Sequence, residues 1–560
     1  MKRFIRTLNH QIICTAALVL TTVLFIAIIY GPTLHYPFFF DDFNSLMNNQ
    51  GEVSLQLINP DPSFESLRKQ ALRPNRELTW LTFAANYKLT GMNPAGFRIV
   101  NFTLHGLCTI LVYLLLTLLW QRNNRQKEAA SNPICRPALI GALLFLCHPL
   151  ALNTAVYISQ RFGGLASLFY LTGFYAWLKG HPTKPKTTPG KNWYWGWLFI
   201  AGTSFWAALH CKEMAITLPA TILFYEIYTK NVIPGSNRNR LTLIFSLALV
   251  TVLFLVFAWQ IGLFNQAWIN IGFRSKRLWS PGIHFLSEAK VFFLYWKLLL
   301  IPLPGSLSLH HEMQPCSNYF DPVAYAAVSG HIALFILALK LRRKAPLIGF
   351  GIAWFYLVLA PPYLFLPQKE LLVEYKTYLA TPGISMIIMG LFSMTENFSK
   401  LHNRYRFRNC AYAITGCWLI FLCLVTGHRR TTFQNPLTIW SDVLVKYPES
   451  CRALNNRAVA WLKKGLPQKT LNDFDRLLRK HPDYARGFEN RGRLRLYLKD
   501  FNGAIDDFNR TLTLLPNEPE LQTARQEIED LIKSALTEKS KVKKFNAPQE
   551  QGKNQPGPQK

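Results

Sequence analysis

The chain has 560 residues, half of them hydrophobic, and only 17% are charged. A water-soluble protein carries nearer a quarter of its residues as charges, which excludes an architecture of soluble domains alone. The formal net charge of +31 raises nucleic acid as a partner, but much of the excess lies in short loops between apolar blocks, where it sets membrane orientation. The rest lies in the C-terminal segment, where anionic lipid or a partner surface is the expected target; no nucleic-acid role is assigned.

Lys2, Arg3 and Arg6 precede an apolar run from Ile12 to Tyr30. The run is long enough to span a bilayer, and no small-x-small cleavage motif follows it. A retained first helix that starts in the cytoplasm is expected. Further spans are expected at Phe97–Leu119, Pro137–Ile158, Phe162–Leu178, Trp193–His210, Met214–Tyr228 and Leu241–Gly262. Pro322–Leu341, Leu347–Leu366, Tyr378–Met394 and Ala411–Gly427 bring the total to eleven. Basic loops around Arg122–Arg136, Lys179–Lys191, Lys230–Arg240, Arg342–Lys344 and Arg404–Arg408 all fall on the cytoplasmic side of that topology, as the positive-inside rule requires. Phe285–Ile301 contains Glu288, Lys290 and Lys297 and reads as an interfacial or re-entrant helix on the outer face. Cys14, Cys108, Cys147, Cys417 and Cys423 lie in apolar segments and read as small hydrophobes. The cysteine spacing indicates neither a metal site nor a disulfide framework.

After His428 the pattern changes. Pro448, Pro482 and Pro516 recur every 34 residues, the tetratricopeptide period. Leu454, Ala458, Trp461 and Phe474 in one repeat, and Phe488, Gly492, Phe501, Ala504 and Phe508 in the next, occupy the packing positions. The expected fold is therefore all-α: a polytopic transmembrane helical bundle over residues 1–427, then a tetratricopeptide-repeat α-solenoid over 428–536. Its repeats lie at about 449–482 and 483–516, with a flanking half repeat and a capping helix. The tail, 537–560, is rich in Lys, Gln, Pro and Gly and is expected to be disordered.

Candidate chemistry gathers on the expected outer face. Asp41 and Asp42 follow the first helix in the sequence Phe38-Phe39-Phe40-Asp41-Asp42. One carboxylate can act as general base on a hydroxyl, its neighbour raising its pKa. Alternatively, the pair could hold a divalent cation against a phosphate, which the sequence allows but does not require, or simply cap a helix by accepting backbone N–H groups. Arg73 and Arg76 share that loop. His105 lies in the second span, His148 precedes Pro149 in the third, and Arg161 closes the third span's outer end. Lys212 and Glu213 lie between spans five and six, and Glu374 and Lys376 between nine and ten. Singly, each cation reads as snorkelling or ion-paired; together they suit the departure of a lipid phosphate, whose developing charge needs cations. His105 and His148 each read first as helix-packing residues with satisfied ring nitrogens, but both stay among the substrate-binding candidates with Arg73, Arg76, Arg161, Lys212, Glu213, Glu374 and Lys376.

These motifs resemble the transmembrane and tetratricopeptide-repeat O-mannosyltransferase family in its bacterial form, within the type C glycosyltransferases. The resemblance rests on Phe40-Asp41-Asp42, Arg73-Pro74, Asn101 with His105, His148-Pro149-Leu150, Tyr157 to Arg161, Cys211-Lys212-Glu213, and Glu374 with Tyr378-Leu379. It implies a catalytic base at Asp41 or Asp42 and receipt of the lipid phosphate by basic residues, Arg161 and Lys212 first. This chain departs from the resembled pattern in having Asn153 where Glu is frequent, Glu374-Tyr375-Lys376 where Glu-His-Arg is frequent, and His310 where Asp is common.

The expected activity is transfer of a sugar from a polyprenyl-phosphate donor to a protein or glycan hydroxyl at the periplasmic face of a bacterial inner membrane. The repeat groove, basic through Arg452, Arg457, Arg491, Arg493 and Arg495, would hold the acceptor protein or a partner peptide. The alternative is an inactive membrane anchor that displays the repeats as a scaffold for envelope assembly.

Overall fold

The computed structural model describes residues 2–39, 42, 76–124, 136–181, 191–229, 281–364, 370–401, 405–517 and 521–551. Every regular element among them is helical, with no strand. The expected seventh span, Leu241–Gly262, and the residues Asp41 and Arg73 lie outside the described residues.

In the first unit, α1 (Lys2–Phe25) runs on into a π-helical turn at Ile26–Tyr30 and a 3₁₀ turn at Gly31–Thr33. There follow α2 (Glu77–Thr90), α3 (Pro94–Asn124), α4 (Arg136–Cys147), α5 (Ala151–Val156), α6 (Arg161–Gly180), α7 (Lys191–Leu209) and α8 (Leu218–Thr229). The unit is completed by α9 (Pro281–Leu300), α10 (Pro322–Lys344), α11 (Pro346–Leu364), α12 (Thr381–Leu401) and α13 (Tyr405–Thr432).

Among the described residues, five segments are long and apolar enough to cross a membrane: Ile13–Thr33, Pro94–Asn123, Pro322–Lys344, Glu374–Glu396 and Tyr405–Thr432. With three shorter apolar helices, Arg136–Cys147, Trp195–Leu209 and Pro346–Leu359, they describe a multi-pass membrane protein.

The expected continuous span Pro137–Ile158 is broken. Helix α4 stops at Cys147, and α5 is a short separate helix. Pro149 has no backbone N–H and disfavours helical geometry at the residue before it. His148 fills the gap: its ring Nε2 donates to the Leu299 carbonyl at 3.0 Å, and its Nδ1 accepts the Leu150 N–H at 3.2 Å. The expected span from Met214 likewise begins with a 3₁₀ turn, Glu213–Thr217, before α8.

The core of this unit is a continuous apolar cluster to which α1 and each of the helices α3 to α13 contribute. Helices in lipid approach closely through small residues, because apolar tails give no hydrophobic drive between them. That rule holds where α11 crosses α12. A Cβ on Gly351 would sit 2.5 Å from the Gly383 carbonyl, and one on Gly383 would sit 2.8 Å from the Gly351 carbonyl.

The chain divides between Gln434 and Asn435, seven residues beyond the expected boundary at 427/428, because α13 continues unbroken to Thr432. The second unit holds α14 (Pro436–Lys446), α15 (Cys451–Lys463), α16 (Pro467–Lys480), α17 (Ala485–Tyr497), α18 (Phe501–Leu514) and α19 (Gln522–Gln551). Helices α15 and α17 start 34 residues apart, as do α16 and α18, so the proline period marks a repeated helix pair. At Gly492 a Cβ would lie 2.7 Å from the Phe508 ring; 34 residues earlier Ala458 and Phe474 are buried at the equivalent positions.

Two expectations for this unit are corrected. Residues 537 to 551, expected to be disordered, continue α19; their Lys, Glu and Gln residues are good helix formers. The arginines expected to make a basic groove are largely neutralised in place. Arg457 pairs with Asp473, Arg491 with Asp475 and Asp507, Arg493 with Glu489, and Arg495 with Asp507.

Gly351→Ala should lower stability by about 1–3 kcal/mol, the usual cost of overpacking. Gly202→Ala in α7, where a Cβ meets nothing within 4 Å, should leave it unchanged. Thermal unfolding of the two variants in detergent makes the comparison.

Candidate functional site

Asp42 is fully buried, and its carboxylate is held by backbone. Its Oδ1 accepts the Ser159 N–H at 2.7 Å, and its Oδ2 accepts the Phe39 N–H at 3.3 Å. Arg98 of α3, absent from the expected site, fixes the chain leading to it. Its Nε donates to the Val156 carbonyl at 3.1 Å, and its Nη atoms donate to the carbonyls of Leu34, Tyr36 and Pro37. A single guanidinium thereby binds the end of the first membrane segment to the break after α5. The expectation that an Asp of the pair bonds backbone N–H groups is met at Asp42.

The 3₁₀ turn Ile158–Gln160 links Asp42 to Arg161. The Arg161 side chain is buried and saturated. Nε donates to Asn101 Oδ1 at 2.9 Å, Nη1 to the Thr82 carbonyl at 3.2 Å, and Nη2 to Asn86 Oδ1 at 2.8 Å and the Phe97 carbonyl at 2.9 Å. Its guanidinium also lies 4.4 Å from the Phe83 ring centroid. This geometry cross-links α2, α3 and α6, and its donors point to protein acceptors rather than to open space.

Two residues further along α6, a Cβ on Gly163 would lie 3.5 Å from Lys212 Nζ. The glycine leaves room for the ammonium, which also sits 5.2 Å from the Tyr375 ring centroid. Glu213 receives Arg76 bidentately, with Nη2 at 2.9 and 3.0 Å from its two oxygens. Arg76 takes the left-handed conformation at φ 71° just before α2. Lys376 feels the charges of Lys212, Glu213 and Glu288. Arg76, Lys212, Glu213 and Lys376 therefore form one charged group drawn from three separate loops.

Burial, then the neighbouring Arg76 charge, push the Lys212 ammonium down to about 8, with Glu213 opposing. For Glu213, burial alone would raise the carboxyl. Arg76 and Lys212 outweigh it and hold the group below its ordinary range.

Glu374 lies beside this group and anchors a different set of segments. Its Oε1 accepts the Ser308 N–H at 2.7 Å and His311 Nε2–H at 2.9 Å. Its Oε2 accepts Asn153 Nδ2–H at 3.1 Å and the Arg429 guanidinium. Arg429 donates in addition to the Pro149 carbonyl at 3.1 Å. Asn153, which stands where the resembled pattern frequently has Glu, serves both partners: its amide donates to Glu374, and its oxygen lies 3.5 Å from Arg429 Nη2.

The two histidines are satisfied in the core, as their isolated positions suggested. His105 Nε2 donates to the Leu146 carbonyl at 3.3 Å, and its Nδ1 pairs with the Tyr378 hydroxyl at 2.8 Å. His148 completes the helix break described above. Of the expected site, Asp42, Arg76, Arg161, Lys212, Glu213, Glu374 and Lys376 are linked through neighbouring contacts, while His105 and His148 support the layer beneath. Arg98, His311 and Arg429 were not anticipated. Arg98 and Arg429 lie in or at the end of apolar runs, where an arginine is costly unless it has a structural or functional partner; that was the available signal. No group of three or more His, Cys, Asp or Glu side chains suited to a metal ion occurs among the described residues.

Removing Arg429 strands a buried carboxylate. Arg429→Leu should cost about 3–5 kcal/mol, and the Glu374→Leu/Arg429→Leu double variant should be less destabilised than the sum of the singles, as measured by unfolding in detergent. Lys212 gives a pH-dependent prediction. Below about pH 8 its ammonium is charged in the folded state and its burial opposes folding. That penalty fades as pH rises from about 8 towards 10.5, because the unfolded chain then binds more protons. Lys212→Met should therefore raise Tm at pH 7, with a gain that narrows towards pH 10.

No protein-family model matches the chain, and no solved structure matches it. Curated proteins do. Protein O-mannosyl-transferase TMTC4 of Homo sapiens is 31% identical over 34% of this chain and 26% of its own length. Protein O-mannosyl-transferase Tmtc3 of Drosophila melanogaster is 30% identical over 29% of this chain and 18% of its own. Protein O-mannosyl-transferase TMTC3 of Mus musculus is 20% identical over 88% of this chain and 54% of its own length. The chain thus spans between about a fifth and about half of the relatives it matches. This weak homology supports the protein O-mannosyl-transferase family and, in general terms, a membrane glycosyltransferase.

Proposed function

We propose that this chain transfers a sugar from a polyprenyl-phosphate donor to a hydroxyl on a protein, at the non-cytoplasmic face of a membrane. The observation that carries the reading is the grouping of Lys212, Lys376 and Arg76, with Lys212 Nζ 3.5 Å from where a Cβ on Gly163 would lie, four residues along the chain from Ser159, whose N–H holds Asp42. The names of the relatives supply mannose as the first sugar to test and protein as the acceptor.

In this reading the acceptor hydroxyl loses its proton to a carboxylate of the Asp41–Asp42 pair as its oxygen attacks the anomeric carbon. The bond from that carbon to the phosphate oxygen breaks, and the lipid phosphate leaves with the electron pair. Lys212 and Lys376 stabilise the growing charge, with Arg76 held in place by Glu213. A half-buried cationic pair is unfavourable before an anion arrives, and a bound phosphate relieves that repulsion. Both oxygens of Asp42 already accept backbone N–H groups, which favours Asp42 as the anchor of the pair and Asp41 as the base. Arg161 acts in this scheme by positioning α2, α3 and α6, and Arg76, Lys212 and Lys376 receive the phosphate. The repeated helix pairs of the second unit are read as tetratricopeptide repeats that bind the acceptor or a partner peptide.

The two aspartates should separate on mutation. Asp41→Asn should abolish transfer to a protein acceptor, at least a hundredfold, with unchanged Tm, in keeping with the usual worth of a general base. Asp42→Asn should lower both Tm and transfer. Mass spectrometry of acceptor glycans and thermal unfolding read the two effects. Unchanged glycosylation in both variants, with loss of a repeat-dependent phenotype on deleting 435–560, would establish the scaffold instead.

A further inference from the structure

Glu288 takes no part in the arrangement above. It lies in α9, and its side chain is 1% exposed. Neither carboxyl oxygen has a hydrogen-bond partner, unlike those of Glu374, which accept four donors. Burying a carboxyl group with both acceptors unused is costly, so such a group in a folded protein calls for a function.

Its surroundings indicate which one. Glu288 and Lys376 feel each other's charge, so the acid borders the cationic group from the side of α9. The position is rigidly supported. Two turns along the same face, the Tyr295 hydroxyl donates to the Val373 carbonyl at 3.2 Å and accepts the Val373 N–H at 2.9 Å. That pair of bonds fixes α9 against the 3₁₀ turn Glu374–Ala380 carrying Lys376. On the preceding residue, Ser287 Oγ accepts the Cys316 N–H at 2.9 Å, tying the loop after α9 to the same helix.

We propose that Glu288 recognises the glycosyl group of the donor, accepting hydrogen bonds from its hydroxyls while Lys212 and Lys376 hold the phosphate. This rests on the donor reading under Proposed function and adds a polarity to it. A phosphate offers only acceptors and negative charge, so it is drawn to the ammonium groups. Burial pushes the Glu288 carboxyl up to about 8, so near neutral pH it is largely an uncharged acid. A sugar offers hydroxyls that both donate and accept, and a protonated carboxyl matches two adjacent ones, its carbonyl oxygen accepting from one and its O–H donating to the other. Phosphate and sugar are thus sorted to the two poles of one site. Glu288 makes no bond to the reacting carbon; it is a specificity residue.

The test measures binding of two probes to the full chain in nanodiscs: polyprenyl phosphate and polyprenyl-phosphate-linked mannose. Wild type should bind the mannosylated lipid more tightly. Glu288→Leu should lose about tenfold on the mannosylated lipid, the size of one or two hydrogen bonds, and nothing on the bare lipid, whereas Glu288→Gln, which keeps an acceptor and a donor, should retain most of the binding. Lys376→Met should weaken both probes alike. Glu288→Asp, which keeps the carboxyl but shortens the reach, serves the same comparison if the leucine variant does not fold. The proposal is overturned if Glu288→Leu, or Glu288→Asp in its place, binds the mannosylated lipid as wild type does, or if it weakens both probes equally. Wild type binding neither probe overturns the donor reading itself.

Discussion

The buried pair of Glu374 and Arg429 is the constraint on which the rest of the membrane unit depends. Neither group is stable in an apolar interior without the other, and together they engage Pro149, Asn153, Ser308 and His311. With Glu374 and Arg429 themselves, those residues come from four places far apart in the chain. The pair thus fixes the helix break after α4, the loop after α9, the turn before α12 and the end of α13 relative to one another. Lys376 lies two residues from Glu374, so the cationic group inherits its placement from this pair.

The same logic recurs at the other side of the layer. Arg98 ties the end of the first membrane segment to α5 through four carbonyls, and Arg161 ties α2, α3 and α6 through two carbonyls and two amides. Broken helices leave carbonyls without intrahelical partners, and in a membrane these have no water to turn to. Guanidinium groups, with donors in a fixed fork, fill that need. Arg98 and Arg161 thus spend their donors on backbone carbonyls and side-chain amides, whereas Lys212 and Lys376 stand near each other and near Glu213.

The helical class, the first membrane segment, the apolar segments and the 34-residue period were all legible in the sequence, because each follows from local periodicity and composition. The same local reading noted packing as the first role of His105 and His148 yet kept both as substrate-binding candidates; in the fold their ring nitrogens bond protein groups. It missed the break in the third span, although Pro149 was in view, because proline also occurs in kinked but continuous helices. It also treated the arginines of the second unit as a free basic surface. Four of the five find a carboxylate there: Arg457 meets Asp473 and Arg491 meets Asp507 on the facing helix, and both acids belong to the same repeating pattern.

By itself, the sequence determined that the chain crosses a membrane repeatedly, ends in paired helices, and carries acids and bases in its loops, since hydrophobicity and period are properties of neighbouring residues. Only the tertiary structure decided the state of each charge. Arg161 and Lys212 look alike in sequence, yet one is saturated by protein and the other abuts a glycine beside a second lysine. Glu374 and Glu288 differ in the same way, one with four donors and one with none. The reason is physical: whether a buried charge is satisfied depends on groups brought within about 3 Å by the fold, and chain spacing carries no record of those distances.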